Sequence, residues 1–169
     1  QYDLYSDHVV IKKYLGNKSD LVIPDEIDGQ PVTELASSSF GSSKTLVRVD
    51  VPETVTAIGD GAFKSDALLV DINLPEQVES FGKGVFDGCS NLVKIMIPAG
   101  VTNIGEKSFN NCSQLAKISL PGEITSIDKQ AFYNCKKLRN ITIKTTSLKK
   151  NTIGSKAFTG TYKAVKVKV

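Results

Sequence analysis

The sequence contains no tryptophan, a single histidine and a single methionine, and aromatic residues make up only 7 % of its 169 residues. A core must therefore consist mainly of isoleucine, valine and leucine. Zinc sites need paired cysteine or histidine spacings and nucleophilic cysteines need a histidine base, and His8 alone provides neither. No Walker or dinucleotide-binding pattern is present either. We expect no catalytic, metal or cofactor site, and no enzyme.

Long apolar runs are missing too. None approaches the roughly 18 residues of a membrane-spanning helix, and the first residues lack the basic and apolar regions of a signal peptide. We expect a chain without a membrane span. A cytoplasmic protein and an exported protein already trimmed of its leader would have the same composition.

Negative charge is absent from residues 136–169, which carry ten Lys or Arg and no Asp or Glu. Residues 1–135 carry 11 basic and 18 acidic side chains, so the overall net charge of +3 hides a segment with a net charge of −7. The basic end is suited to meeting an acidic surface such as a sulphated glycan, a teichoic acid or an acidic protein patch. Alternatively, the lysines only protect an exposed strand edge from pairing.

The chain has a strong internal repeat. Five phenylalanines are spaced 23 residues apart and a sixth follows after 26, at Phe40, Phe63, Phe86, Phe109, Phe132 and Phe158. Apolar residues, proline and glycine keep fixed offsets from it, so that one unit can be written LxxIxLPxxVxxIGxxAFxxCxx. A single unit of this size cannot bury enough apolar surface to be stable, and such units therefore stack as a solenoid.

Within each unit the IxL alternation predicts a short strand with two inward side chains, and the following proline ends it. We expect seven strands in one parallel sheet, near 20–24, 48–52, 71–75, 94–98, 117–121, 140–144 and 165–169. The VxxI segment predicts a second extended edge. The position after it holds Gly59, Gly82, Gly105 and Gly154, with Asp128 once, and we expect a left-handed turn there.

The N-terminal residues 1–20 differ from the repeat and predict a capping hairpin. Two strand-like runs flank Gly16 and Asn17, which favours a hairpin at that point. Asp28-Gly29 predicts a further turn within the first coil. The array itself would then occupy residues 21–169, as about six units.

Cys89, Cys112 and Cys135 each follow a phenylalanine by three residues and should stack as a ladder. Equivalent Cα atoms about 4.8 Å apart are within disulfide range, so one bridge among the three remains open. We favour three buried free thiols. Ser43, Asp66 and Thr161 replace cysteine in the other units, which indicates that the site tolerates a hydrogen-bonding group.

Outward residues of the predicted sheet form two variable columns, while the inward positions stay apolar. Such a face is a broad platform for a macromolecule, or simply a solvated surface. The candidate binding residues are Arg48, Asp50, Asp71, Asn73, Lys94, Met96, Lys117, Ser119, Asn140 and Thr142, and the columns continue to Lys166 and Lys168.

The segment LVKIMIPAGVTNIGEKSFNNCSQ, from Leu92 to Gln114, resembles the consensus of the BspA-like leucine-rich repeats, also called the Treponema pallidum type. The resemblance extends over about Leu21 to Val169. It implies a right-handed solenoid with short parallel strands on one face and little α-helix. Members of the family are largely surface or secreted proteins, and some are adhesins.

We therefore expect a non-enzymatic binding module of a bacterial cell-surface or secreted protein, acting as a monomer. Its partner would be a protein or a glycan, such as a host matrix component or a bacterial wall polymer, and not a nucleic acid. The alternative is a structural spacer that presents another domain of a larger surface protein.

Overall fold

The computed structural model describes residues 1–143, 145 and 147–162, together with the backbone of Lys166–Lys168. These residues form short β-strands and one 3-10 helix, Lys150–Thr152, and contain no α-helix. In chain order the strands are β1 (Tyr2–Leu4), β2 (Val9–Ile11), β3 (Asp20–Val22), β4 (Glu26–Ile27), β5 (Gln30–Leu35), β6 (Arg48–Asp50), β7 (Ala57–Ile58), β8 (Asp71–Asn73), β9 (Ser80–Phe81), β10 (Asn103–Ile104), β11 (Lys117–Leu120), β12 (Ser126–Ile127), β13 (Asn140–Ile143) and β14 (Lys166–Lys168).

One side of the solenoid carries two parallel sheets, β3-β6-β8 and β11-β13-β14. Equivalent repeat positions are in register, so that Arg48 pairs with Asp71 and Lys117 pairs with Asn140. Within each strand the IxL pattern directs one set of side chains into the core and the other into solvent. The strands predicted near residues 20, 48, 71, 117, 140 and 166 are confirmed.

The predicted strand at 94–98 is wrong, and with it the single seven-stranded sheet. These residues form only one parallel bridge, from Met96 to Ser119. Ile95 and Ile97 nevertheless remain buried, at 7 % exposure each. The periodicity therefore places the side chains correctly, but no strand pairing joins the third and fourth coils, and beside the segment only the Val93 amide still donates to the Val70 carbonyl, at 3.2 Å.

The interruption extends to the second column of strands. This column is formed by β5, β7 and β9 and resumes with β10 and β12, and among the described residues no pairing joins β9 to β10. On the opposite side of the same junction the coils stay together. The Phe86 amide donates to the Ser108 carbonyl at 2.9 Å, and the Gly84 amide donates to the Glu106 carbonyl at 2.8 Å. Strand pairing is thus interrupted in both columns at this junction, while the turns around the phenylalanines keep their hydrogen bonds.

Phe81 distinguishes this junction from the others, and we infer that it causes the opening. It occupies the position at which other coils have an isoleucine, such as Ile58 and Ile104. Its ring lies 6.0 Å from the ring of Phe86 in its own turn and 6.3 Å from the ring of Phe109 in the next coil. Extra volume in a close-packed core displaces the backbone around it, and we attribute the missing pairing to this residue.

The repeated phenylalanines form a continuous stack in the core. Their ring centroids lie between 5.1 and 5.6 Å apart from Phe40 to Phe158. Tyr14 extends the stack at 5.6 Å from Phe40. The stacked column that the 23-residue period predicts is confirmed, and it holds the coils together where the strands separate.

The left-handed turn expected at the repeated glycine is wrong. None of the five residues at this position has a positive φ, and these are Gly59, Gly82, Gly105, Asp128 and Gly154. Most of the glycines serve a close approach of two backbones instead. A Cβ on Gly59 would lie 2.6 Å from the Ser37 amide nitrogen, and one on Gly82 would lie 2.6 Å from the Asp60 amide nitrogen. The missing side chain allows each coil to pack onto the preceding one.

Left-handed residues lie two positions before and two positions after each phenylalanine. The first set contains Ser38, Gly61, Gly84, Lys107, Gln130 and Lys156. The second set contains Ser42, Ser65, Gly88, Asn111, Asn134 and Gly160. The second set consists only of serine, glycine and asparagine, which is a sequence signal for a tight turn; the first set includes lysine and glutamine and carries no such signal.

The cap contains a hairpin, but not at Gly16 and Asn17. β1 and β2 pair antiparallel, with Tyr2 opposite Ile11. The two runs that flank Gly16 lie in different sheets, since β2 pairs with β5 and β3 pairs with β6. The buried apolar residues of β2 pack on the first coil, so residues 9–22 follow the path of a shortened coil.

The turn predicted at Asp28-Gly29 is confirmed. Both residues have positive φ, of 53° and 77°, and they connect β4 to β5 as a two-residue hairpin. The Tyr2 hydroxyl donates to the Asp28 carboxylate at 2.7 Å and ties the cap to this turn.

Candidate binding face

A concavity of about 620 Å³ lies on the strand side of the solenoid, where the two sheets separate. Its walls come from four successive coils, which contribute outward side chains of their strand segments, and three inward isoleucines lie beneath them. The lining residues are Asp71, Ile72, Asn73, Lys94, Ile95, Met96, Lys117, Ile118, Ser119, Asn140 and Thr142.

Eight of the ten residues predicted for the binding face line this concavity, and the other two, Arg48 and Asp50, do not. Arg48 and Asp50 belong to β6, on the N-terminal side of the opening. The side chains of Lys166 and Lys168, which the sequence placed in the same columns, lie outside the described residues. The structure thus concentrates the predicted platform around the third to sixth coils.

The column of outward residues that runs from Asp20 through Arg48, Asp71 and Lys94 to Lys117 is ion-paired at its N-terminal end. The Arg48 guanidinium lies 3.0 Å from the Asp20 carboxylate, and the Lys94 ammonium lies 3.5 Å from the Asp71 carboxylate. Hydrogen bonds from Ser19 and Arg48 lower the pKa of Asp20. Asp71 is partly buried and the other three side chains are largely exposed, so each pair contributes little to stability.

Lys117 marks a change in the charge of the column. It is exposed, and among the described residues no carboxylate lies within 4 Å of its ammonium group. Its neighbour in the next strand is Asn140, which is neutral. The C-terminal half of the concavity therefore presents positive charge and hydroxyl and amide groups without a compensating acid.

Met96 is the large apolar side chain of the concavity, and 75 % of its surface is exposed. A second exposed apolar residue, Val22 in β3, lies three coils away in the same column, at 71 % exposure. Asp20 and Val22 extend the face at its N-terminal end and were missed by the sequence prediction. The signal was available, because the strand near residue 20 was itself predicted.

The three cysteines form a buried ladder of free thiols, as predicted. Each donates its S–H to the carbonyl oxygen of the phenylalanine 26 residues earlier: Cys89 to Phe63 at 3.1 Å, Cys112 to Phe86 at 3.1 Å and Cys135 to Phe109 at 2.9 Å. Burial raises the pKa of all three thiols, that of Cys135 to about 12. The ladder thus satisfies core carbonyls and holds its thiols protonated.

Asp66 occupies the cysteine position of the second coil and is fully buried. One carboxyl oxygen, Oδ1, accepts a hydrogen bond from the Ser43 amide at 2.6 Å. The other, Oδ2, has no hydrogen-bond partner. Burial raises the pKa of this carboxyl to about 7, against the lowering effect of the Ser43 amide and of Lys13. The site tolerates a polar group, as the substitutions predicted.

A smaller depression of about 390 Å³ lies on the turn side of the coils. Its charged residues balance in number, with three lysines and three carboxylates. The Lys64 ammonium lies 3.5 Å from the Asp87 carboxylate, and the Lys83 amide donates to the Asp60 carboxylate at 2.7 Å. This surface has neither an exposed apolar anchor nor an unbalanced charge, in contrast to the strand side.

The basic C-terminal end is partly described. The Arg139 guanidinium lies 4.4 Å from the centre of the Tyr162 ring, a cation–π contact. The Lys137 ammonium donates to the Gln114 side chain at 2.5 Å. The side chains of Lys144, Lys163, Lys166 and Lys168 lie outside the described residues.

Across the residues that the structure describes, no group of three or more His, Cys, Asp or Glu side chains is arranged to hold a metal ion. Over the same residues, no helix has the length and the apolar character needed to cross a membrane.

Solved structures of bacterial leucine-rich repeat proteins are similar to this chain. The leucine-rich repeat protein of T. pallidum is 28 % identical with a TM-score of 0.72, covering 95 % of this chain and 85 % of that one. A leucine-rich cell surface protein of Faecalibacterium prausnitzii is 27 % identical with a TM-score of 0.75, covering 98 % and 52 %. A leucine-rich repeat protein of Eubacterium ventriosum, at 24 % identity and a TM-score of 0.74 over 95 % and 50 %, shows the fold alone.

The chain therefore spans about half the length of the Faecalibacterium and Eubacterium proteins. A comparison with curated protein sequences finds no match. The family model described as BspA type leucine rich repeat region matches six copies over residues 33–165. Leucine-rich repeat domains of this kind are typically non-enzymatic. The repeat length, the stacked phenylalanines and this match show that the chain belongs to the BspA-type leucine-rich repeat family.

Proposed function

We propose that this chain is a binding module of a bacterial cell-surface or secreted protein, and that it attaches to a protein or a glycan through its strand face. The concavity of about 620 Å³ is the observation that supports the proposal most directly. It brings together side chains from four coils, as the extended binding surfaces of repeat proteins do.

The composition of the face supports the same function. Variable polar residues, one exposed methionine and an uncompensated lysine lie on a rigid, stacked backbone. Such a surface can select a macromolecular partner without any group arranged for chemistry. The Faecalibacterium relative, described as a cell surface protein, supports an extracellular location for this chain. We propose that the module acts as a monomer.

The test is binding of the purified chain to immobilised host matrix proteins and bacterial wall polymers, at low and at physiological salt. A double charge reversal, Lys94→Glu with Lys117→Glu, should weaken binding roughly tenfold or more if the strand face is the site. Higher salt should reduce binding as well, since charge contributes to the contact.

Lys44→Glu with Lys136→Glu is the matched control. It changes the net charge by the same amount, and both lysines are exposed and lie outside the concavity. Equal binding by the strand-face variant and the wild type would contradict the proposal. If the wild type bound no member of the panel, the alternative role of a structural spacer would be favoured instead.

A further inference from the structure

We propose that the strand-face concavity binds an extended acidic peptide segment that carries large apolar side chains. The acidic side chains of the peptide would contact Lys117, and one of its apolar side chains would cover Met96. This inference rests on the proposed function of the strand face and narrows its partner from a protein or a glycan to one class.

The charge distribution selects an acidic partner. Asp71 contributes the only carboxylate among the side chains that line the concavity, and Lys94 already neutralises it at 3.5 Å. Lys117 remains, and no carboxylate of the described residues reaches it. Around it Ser119, Asn140 and Thr142 offer hydroxyl and amide hydrogen-bond donors. A negatively charged group placed here gains a charge-assisted hydrogen bond, whereas a cation meets uncompensated positive charge.

Met96 selects a partner with apolar side chains. It is 75 % exposed between Asn73 and Ser119, two polar neighbours in the same column. Methionine is enriched in protein interfaces, where its flexible thioether adapts to a partner's side chains. A sulphated glycan would supply negative charge but no apolar group to remove Met96 from water. The combination of Met96 and Lys117 therefore favours a polypeptide.

The backbone of the concavity favours an extended conformation in that polypeptide. Ile72, Ile95 and Ile118 line the floor, yet their side chains are buried, at 4 %, 7 % and 3 % exposure. The floor is therefore formed largely by backbone. Across the junction with β8, segment 94–98 forms no strand pairing, and the neighbouring Val93 amide donates to the Val70 carbonyl at 3.2 Å. Unpaired backbone groups in an opened sheet are a site for an added extended segment.

The experiment measures fluorescence anisotropy of three labelled peptides of equal length with the wild-type chain. The first peptide repeats the sequence Leu-Ser-Glu-Ser, so that in an extended conformation Leu and Glu lie on one face and Ser lies on the other. The second has Ser in place of every Leu, and the third has Lys in place of every Glu. A heparin fragment serves as the sulphated-glycan probe.

We expect the peptide with Leu and Glu to bind roughly tenfold or more tightly than the other two peptides and heparin. Lys117→Glu should weaken its binding by a similar factor and strengthen binding of the peptide with Leu and Lys, because the charge at the site is reversed. Met96→Ser should reduce its affinity to that of the peptide without Leu. Lys44→Glu reverses an exposed charge outside the concavity. It should change neither the affinity for the peptide with Leu and Glu nor that for the peptide with Leu and Lys.

Three results would overturn the inference. They are that no peptide binds, that the first and second peptides bind with equal affinity, or that Lys117→Glu leaves the affinity for the first peptide unchanged. Binding of heparin alone, lost in the double variant of Lys94 and Lys117, would refute the peptide partner while leaving the strand face as a binding site. The proposed function itself is refuted by a separate outcome. In that outcome the double variant binds the matrix proteins and wall polymers as well as the wild type does. Each variant is compared with the wild type in thermal unfolding, and an unchanged midpoint shows that folding is intact.

Discussion

Replacing Asp66 with asparagine should remove much of the pH dependence of this protein's stability between about pH 4 and pH 7. Asp66 is fully buried, and its Oδ2 oxygen has no hydrogen-bond partner. Burial raises the pKa of the carboxyl from 3.8 to about 7 in the folded state. The unfolded chain leaves this carboxyl in water, with its ordinary pKa.

The sign follows from the direction of the shift. Below about pH 4 the carboxyl is protonated in both states and does not affect stability. As the pH rises towards 7, the unfolded state loses its proton while the folded state keeps it, so the free energy of unfolding decreases. Each pKa unit corresponds to about 1.36 kcal/mol, and the full shift of roughly three units costs on the order of 4 kcal/mol above pH 7.

The asparagine variant keeps an oxygen acceptor for the Ser43 amide and has no charge to bury. Urea unfolding of both proteins, followed by circular dichroism at pH 5 and at pH 8, measures the effect. The wild type should lose about 2 to 3 kcal/mol more than the variant between these two pH values. Parallel pH dependence of the two proteins would refute the assignment of a raised pKa. Asp50→Asn, at an exposed position, is the control and should leave the slope unchanged.

Two substitutions and one chemical modification test the packing of the coils. Phe81→Ile should restore strand pairing between the third and fourth coils, which would slow amide exchange in segment 94–98 and narrow the concavity. Gly59→Ala should destabilise the protein by about 2 kcal/mol or more, because its Cβ would lie 2.6 Å from the Ser37 amide nitrogen. A thiol reagent should react with none of the three cysteines in the native protein and with all three after unfolding without reductant, since the thiols are free and buried.

Each of these expectations has an outcome that contradicts it. Unchanged exchange in Phe81→Ile would mean that the sheet opens for another reason. Gly61→Asn serves as the glycine control, because φ there is +61° and asparagine tolerates that conformation; equal losses at Gly59 and Gly61 would remove the distinction between close approach and a left-handed turn. Detection of only one thiol in the unfolded protein would indicate a disulfide.

The repeat made most of the core predictable. A period of 23 residues assigns every phenylalanine, every inward isoleucine and every cysteine to a column, and stacking then brings equal positions together. The buried thiols and the turn at Asp28-Gly29 follow from the same local reasoning. The columns of the binding face follow too, because inward and outward positions alternate along a strand.

The errors share one cause, which is contact between neighbouring coils. Whether Gly82 needs a positive φ or only a missing side chain depends on where the Asp60 backbone lies, and no local pattern contains that distance. The sequence around Gly16 resembles a hairpin, but β2 pairs with β5 in the first coil and is buried there. Phe81 fits the apolar pattern as well as isoleucine does, and the pattern does not register its larger volume beside Phe109.

By itself the sequence determined a stacked array, its interior columns and the list of outward side chains, because these depend on residue spacing alone. The tertiary structure decided where the strand side opens and so which eight of those side chains surround one concavity. It also decided that Lys94 is neutralised by Asp71 while no described carboxylate reaches Lys117. The physical reason is that spacing fixes which residues share a column, whereas the distance between two coils depends on the volumes packed between them.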